Sequence, residues 1–202
     1  KPFPSASYEQ APVLTVIIPA YNEGAMVRKS IDSVARAKYP HEKLEILAID
    51  DGSTDDTWQY IQQAAEEHGA LVTAVRFTKN QGKRAALAEG FRRARGEFVV
   101  TIDSDSVIEE DTLLAVVGPF SNPRIGAVAG KVAVYNRQKG LIPRMLHVRF
   151  ILSFDFLRAT QSAYGTVYCC PGALSAYRMS VVREVMDKWL EQTHSAVRYV
   201  RY

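Results

Sequence analysis

Cysteine is nearly absent from this 202-residue sequence; it has two, and they are adjacent, Cys169 and Cys170. Neighbouring cysteines close no useful loop, and no partner pair completes a zinc site, so neither a disulfide scaffold nor a structural zinc is expected. Reduced thiols fit a cytosolic setting. Long hydrophobic runs are also missing. None approaches the roughly 20 residues of a membrane span, and the N-terminus does not resemble a signal peptide, so the chain as it stands is expected to be soluble. No G-x-G-x-x-G follows the first apolar run and no G-x-x-x-x-G-K-[ST] occurs anywhere, which argues against standard dinucleotide and P-loop chemistry. Charge of one sign is scarce too: 25 Lys and Arg against 22 Asp and Glu leave a net +3. That is too little to imply a nucleic-acid partner.

With 47% hydrophobic and 23% charged residues, the composition is that of an ordinary globular protein. The length fits one large domain or two small ones. Lys1 to Pro12, with three prolines, reads as an extended leader before a domain spanning 13–194. Apolar strands and helices then alternate. Val13 to Pro19, Leu44 to Ile49, Val72 to Phe77 and Phe98 to Ile102 read as buried strands. Helical spacing links Val27, Ile31 and Val34. A capping-rich Ser53 to Asp56 opens a second helix that Gly69 ends, and Gly82 to Ala94 is an Ala-rich third. This order predicts βαβ units: an α/β, Rossmann-like, mostly parallel sheet with helices on both faces. Beyond it, Glu110 to Phe120 reads as helix and Ile125 to Tyr135 as strand. Leu141 to Gln161 is a long aromatic and basic segment, either an amphipathic helix lying on a membrane or partner, or one packed on the sheet.

In such sheets ligands sit beyond the carboxyl ends of the strands. Three strands here end in chemically loaded loops: Ala20-Tyr21-Asn22-Glu23, Asp50-Asp51-Gly52-Ser53 and Asp103-Ser104-Asp105. If the backbone stays extended past Ile102, Asp103 and Asp105 share a face, because strand side chains alternate. Two ionised carboxylates there call for a cation or an array of donors. Magnesium-type ions take one or two protein carboxylates and complete their shell with water and substrate phosphate oxygens. The competing reading is an Asx-rich turn.

Four segments, Val16 to Glu23, Ile49 to Asp55, Asn80 to Ala86 and Ile102 to Asp105, resemble in order and spacing the family 2 glycosyltransferases of the GT-A fold. Gly82-Lys83-Arg84 and Cys169 to Arg178 look most like the processive synthases of hyaluronan, chitin and Nod-factor chitin oligomers. The resemblance implies an inverting transferase that uses a UDP-sugar, with N-acetylglucosamine as the expected sugar, and forms β-linkages to a glycan acceptor. Ala20, Tyr21 and Glu23 would border the nucleoside. Asp51, with Asp50 beside it, would accept a hydrogen bond from uracil, although a turn role suits Asp50 equally. Lys83 would offset the diphosphate charge with Arg84 nearby, where a structural salt bridge is the alternative. Asp105 would be the main ligand of Mg²⁺ or Mn²⁺, and Asp103 would contact the ribose or the metal shell. Cys170, Pro171, Gly172 and Arg178 would belong to the sugar and acceptor pocket, with the cysteines as packing residues.

Two parts of that family's pattern are not found: the acidic motif that supplies the general base, and Q-x-x-R-W. Glu184, Asp187 and Glu191 are the only late carboxylates, and they fall on a helix-like segment as solvated-face charges. The catalytic base is therefore expected outside this chain. So are the membrane-embedded segments of a full-length enzyme on the cytoplasmic face of a membrane. A tail over 195–202 continues no family pattern, as a join across omitted residues would not. A non-processive transferase to a lipid or protein, and a catalytically silent nucleotide-sugar binding module, are the alternatives.

Overall fold

The computed structural model describes residues 3–134 and 137–191. Strand β1 (Leu14–Ala20) leads to α1 (Met26–Ala35), β2 (Leu44–Asp50), α2 (Thr57–His68), β3 (Val72–Arg76), α3 (Lys83–Arg93) and β4 (Phe98–Ile102). Then follow α4 (Thr112–Val117), β5 (Ala127–Ala129), α5 (Leu141–Phe150), a π-helical stretch (Ile151–Arg158), α6 (Ala159–Ala163), β6 (Leu174–Arg178) and α7 (Met179–Glu191). The sheet runs β3-β2-β1-β4-β6-β5. The first four strands in that order are parallel, and β6 is antiparallel to both β4 and β5. The expected mostly parallel α/β architecture is what forms.

Every residue of β1, β2 and β4 is buried, because both faces of the sheet are covered. Side-chain alternation divides them. Val16 and Ile18 of β1, with Ile46, Val100 and Ile102, pack beneath Val27 and Ile31 of α1, Ile61 of α2 and Leu113 of α4. Ile17, Leu47, Ile49, Val75 and Val99 face the other way, onto Ala86 and Phe91 of α3 and Met179 and Val182 of α7. Each such aliphatic side chain contributes roughly 1.5–3 kcal/mol by leaving water. The strand order reverses between β1 and β4. Their pairing stops at Ile17 opposite Thr101, and Pro19, which has no N–H to donate, falls just past that point. The two strands diverge there and open a crevice.

Later elements depart from expectation. The helix read over Glu110 to Phe120 is shortened to α4, and a 3₁₀ turn with Pro119 closes it at Gly118–Ser121. The strand read over Ile125 to Tyr135 contracts to the three residues of β5 between Gly126 and Gly130, and Tyr135 lies outside the described residues. The expected tail over 195–202 also lies outside them. The leader is attached to the domain at Ala6, whose N–H donates to the Leu114 carbonyl at 2.9 Å. No residue of α5, the π-helical stretch or α6 is buried, so this segment does not take the sheet-packed option.

Candidate functional site

The crevice holds a cavity of about 310 Å³, lined by Pro19, Ala20, Tyr21, Glu23, Asp51, Asn80, Gly82, Lys83, Asp103, Ser104 and Asp105. All three loaded loops, together with the entry to α3, reach it.

Local hydrogen bonds explain how these loops are held. Asn22 adopts a left-handed φ of +53°. Its N–H donates to Ser53 Oγ (3.0 Å), and its Oδ1 accepts from the Thr54 N–H (2.9 Å). The Glu23 and Gly24 N–H groups both donate to Thr57 Oγ1, at 2.8 Å each. The first loop is thereby stapled to the second. Asp51 is 2% exposed, and its carboxylate accepts from the Gln81 N–H (2.7 Å), the Gly82 N–H (2.8 Å) and Asn80 Nδ2 (3.1 Å). This staples the second loop to the residue 80–82 entry of α3. The close approach depends on Gly52, whose φ is +70° and where a Cβ would lie 2.5 Å from the Lys79 carbonyl carbon.

Asp50 is placed elsewhere. It shares its strand face with Ile46 and Ala48, its side chain is fully buried, and it is not among the cavity-lining residues. Oδ1 accepts the Ser53 N–H at 3.0 Å and Oδ2 lies 3.1 Å from Arg76 Nε. Asp50 therefore fills the turn role that the sequence left open, and Asp51 alone reaches the cavity.

The paired aspartates do not lie on an extended strand. β4 ends at Ile102, and the Ser106 N–H closes a turn onto the Asp103 carbonyl at 3.0 Å. The turn, not strand alternation, brings both carboxylates to the cavity. Helix α1 supports it from below: Ser30 Oγ donates to the Asp103 carbonyl (3.3 Å), and Ser33 Oγ accepts the Ile108 N–H (3.2 Å). Lys83, at the first turn of α3, forms an ion pair with Asp103 Oδ1. Gly82 caps that helix with no side-chain hydrogen bond. Arg84 stacks over Trp189, 5.6 Å from the ring centroid, and lines neither this cavity nor its neighbour.

A second cavity of about 300 Å³ shares Pro19, Lys83 and Asp103 with the first and extends between α3 and α7. Leu87, Phe91, Tyr177, Val182, Met186 and Trp189 make it largely apolar, and Cys170 and Gly172 border it. A Cβ on Gly172 would stand 3.2 Å from Lys83 Nζ and 3.5 Å from Asp103 Oδ1, so this glycine abuts the ion pair where the cavities meet. Burial pushes the Cys170 thiol up, and neighbouring Cys169 adds to the effect. A protonated thiol suits packing rather than attack. The Pro171 carbonyl accepts from Ser175 Oγ, and Pro171 lines neither cavity.

Arg178 does not join the pocket. Because β6 runs antiparallel to β4, Leu174 is opposite Ile102 at the site, and Arg178 is opposite Phe98 at the far end. Four steps of strand separate them by roughly 13 Å. There the guanidinium donates to the carbonyls of Phe120 (3.0 Å), Ile125 (3.3 Å) and Asn122 (3.4 Å) and lies over the Phe98 and Phe120 rings. It is a structural residue.

Among the described residues, no group of three or more His, Cys, Asp or Glu could hold a metal on its own. The fit is to a different kind of ion. Two carboxylates on one turn, at the rim of a cavity with room for phosphate oxygens, match the partial ligand set of Mg²⁺ or Mn²⁺. Glu184, Asp187 and Glu191 are exposed on α7 and line neither cavity.

These loops carry a recognisable sequence. The profile of Glycosyl transferase family 2 matches residues 15–186. The chain belongs to that family. It is 30% identical over 186 residues to an N-acetylglucosaminyltransferase of Azorhizobium caulinodans, covering 90% of this chain and 46% of the relative. To the hyaluronan synthase of Streptococcus pyogenes it is 32% identical over 185 residues, covering 89% and 44%. The chain thus spans less than half the length of either relative. Among solved structures, the mannosyltransferase PcManGT from Pyrobaculum calidifontis, in complex with GDP-Man and Mn2+, superposes with a TM-score of 0.74. The two are 30% identical, and the match covers 92% of this chain and 50% of that one. S. aureus TarS 1-349 in complex with UDP-GlcNAc shares the fold at a TM-score of 0.55 and 20% identity, covering 85% and 46%.

Sequence reasoning overlooked the parts played by Asn80, Ser104, Ser30 and Ser33. Asn80 stood in a turn-forming Asn-Gln-Gly run, which was its available signal. The two serines of α1 are spaced three apart on its buried face, and nothing local marks their contact with a loop more than 70 residues away.

Proposed function

We propose that this chain is the donor-binding domain of an inverting glycosyltransferase. It would take N-acetylglucosamine from a UDP-sugar and extend a β-linked polysaccharide, as part of a larger membrane synthase. The observation that carries this reading is the convergence of Asp51, Lys83, Asp103 and Asp105 on one cavity at the β1/β4 crevice of a family 2 fold. The likeness to an N-acetylglucosaminyltransferase and a hyaluronan synthase supports the choice of sugar and product class.

Each residue has a physical task in this reading. Three of the roughly four lone-pair directions of the Asp51 carboxylate are taken by residues 80–82, leaving one to accept a ring N–H from uracil. Tyr21, 44% exposed at the rim, offers an apolar face to the nucleoside. The uncapped first turn of α3 and the Lys83 ammonium both favour the diphosphate. Lys83 then exchanges its Asp103 partner for a phosphate oxygen, which frees Asp103 for the ribose or the ion. Asp105 and Asp103 would hold Mg²⁺ or Mn²⁺, whose charge offsets the negative charge left on departing UDP. Gly172 and Cys170, at the junction of the cavities, would border the transferred sugar.

The mannosyltransferase complex makes GDP-mannose the competing donor. Equilibrium titration of the chain with UDP-N-acetylglucosamine and GDP-mannose, each with Mn²⁺, tests the assignment. Tighter binding of the UDP-sugar, by tenfold or about 1.4 kcal/mol, is expected. Preference for GDP-mannose would overturn the donor assignment and leave the family intact.

A further inference from the structure

The helical arm formed by α5, the π-helical stretch and α6 takes no part in the site above, and its surface is unusual for an isolated domain. At about 1.5 Å per residue, the 23 residues from Leu141 to Ala163 make a rod of roughly 35 Å. Its half-buried residues Pro143, His147, Phe150, Phe154, Arg158 and Gln161 recur three to four apart, with Ser153 beside Phe154, and mark the side turned toward the protein. The opposite side is apolar and open: Leu141 is 74% exposed, Ile142 73% and Met145 64%, followed by Val148, Leu152 and Phe156. Internal contacts fix the rod. Phe150 meets Phe154 edge-on at 5.7 Å, and Arg158 sits 4.3 Å over the Phe154 ring.

Charge identifies what fits this face. Arg137, Lys139, Arg144 and Arg149 are exposed along the arm and its approach, and none pairs with a carboxylate among the described residues. The arm's only acid, Asp155, is already engaged by Lys131 at 2.8 Å. An apolar strip flanked by unpaired cations, on a rod no helix of which is long and apolar enough to cross a membrane, matches an interfacial helix. The arginine stems can lie along the apolar strip while their charged ends reach outward to phosphates.

We infer that the arm 141–163 lies flat on an anionic lipid surface, with its Leu141, Ile142 and Met145 face in the acyl boundary and Arg144 and Arg149 on lipid phosphates. This goes beyond the donor-site reading. It assigns a membrane contact to the chain's own arm, independent of any embedded segment, and stands or falls apart from nucleotide binding.

Co-sedimentation of the chain with vesicles tests it. One set is pure phosphatidylcholine, and the other carries about 30% phosphatidylglycerol. Binding is expected to the anionic vesicles only, and to fall away near 1 M salt, where the screening length shrinks to about 3 Å. R144Q and R149Q should each weaken it about fivefold, and together roughly 30-fold. L141S/I142S/M145S should lose binding by more than about tenfold, with UDP titration and thermal unfolding unchanged because those side chains are already exposed. Equal binding to both vesicle types, binding to neither, or variants that bind like the parent would overturn the inference. So would a concentration-dependent dimer that L141S/I142S/M145S abolishes, which would give this face to a second copy of the chain.

Discussion

Replacing Arg178 with alanine separates a structural from a binding role at a position where the family resemblance and the structure disagree. The guanidinium has one well-formed bond to the Phe120 carbonyl at 3.0 Å and two longer ones, at 3.3 and 3.4 Å. It lies 4.9 Å from the Phe98 centroid and 5.5 Å from that of Phe120, and these two rings stack at 4.5 Å. Its ion pair with Glu97 is long, 3.8 Å, and Glu97 is 64% exposed, so it contributes little. One charge-assisted hydrogen bond is worth about 1.5–3 kcal/mol. Two partly desolvated cation–π contacts add roughly 0.5–1 kcal/mol each. Arg178→Ala should therefore cost about 3 kcal/mol, lowering Tm by roughly 6–12 °C for a chain of this size. Arg178→Lys keeps the charge without the fork and should lose about half as much. UDP affinity should stay within about twofold, because the residue lines neither cavity and sits at the far end of β6, roughly 13 Å from Leu174. The assay pairs thermal unfolding followed by circular dichroism with calorimetric UDP titration. An unchanged Tm together with lost UDP or acceptor binding would refute the structural assignment.

Asp51→Ala should destabilise the chain by roughly 2 kcal/mol as well as abolish UDP binding, because residues 80–82 lose their shared acceptor; unfolding and titration read the two effects separately. Gly172→Val should leave Tm within about 2 °C but weaken donor binding several-fold, since the added methyls press on the Lys83–Asp103 pair. Asp32 links α1 to α2 through His68 (2.8 Å) and pairs within α1 with Arg28 (2.9 Å). Burial pushes its carboxyl up, but the bonds from His68 and Arg28 outweigh this and hold it below the ordinary value of 3.8. A folded-state pKa that is depressed gives stability present above the unfolded value and lost as pH falls through the folded one. Asp32→Asn should lower stability at neutral pH and flatten its fall below about pH 4, measured as Tm against pH.

The half of the fold that builds the cavity was legible because β1, β2 and β4 are buried on both faces and read as unbroken apolar runs ending in carboxylates and turn formers. Strand parity could not tell Asp50 from Asp51, since Asp50 follows Ile46 and Ala48, and Asp51 follows Leu47 and Ile49, each onto a covered face. Arg178 was misplaced because local sequence gives no strand direction, and the antiparallel run of β6 carries it away from the site that Gly172 enters. Asp103 and Asp105 reached the right place by the wrong geometry: the chain turns at once after Ile102. The arm 141–163 was left open because periodic apolar residues mark a core helix and an interfacial helix alike.

In the proposed function, the cavity of Asp51, Lys83, Asp103 and Asp105 binds a nucleoside diphosphate through a divalent ion. Calorimetric titration of the chain with UDP, with and without Mn²⁺, beside the Asp105→Ala variant, tests it most directly. Mn²⁺-dependent binding is expected, reduced by at least about tenfold in Asp105→Ala, with Tm unchanged because Asp105 is exposed. Binding that is equally tight without the ion, or unaltered in the variant, would contradict it.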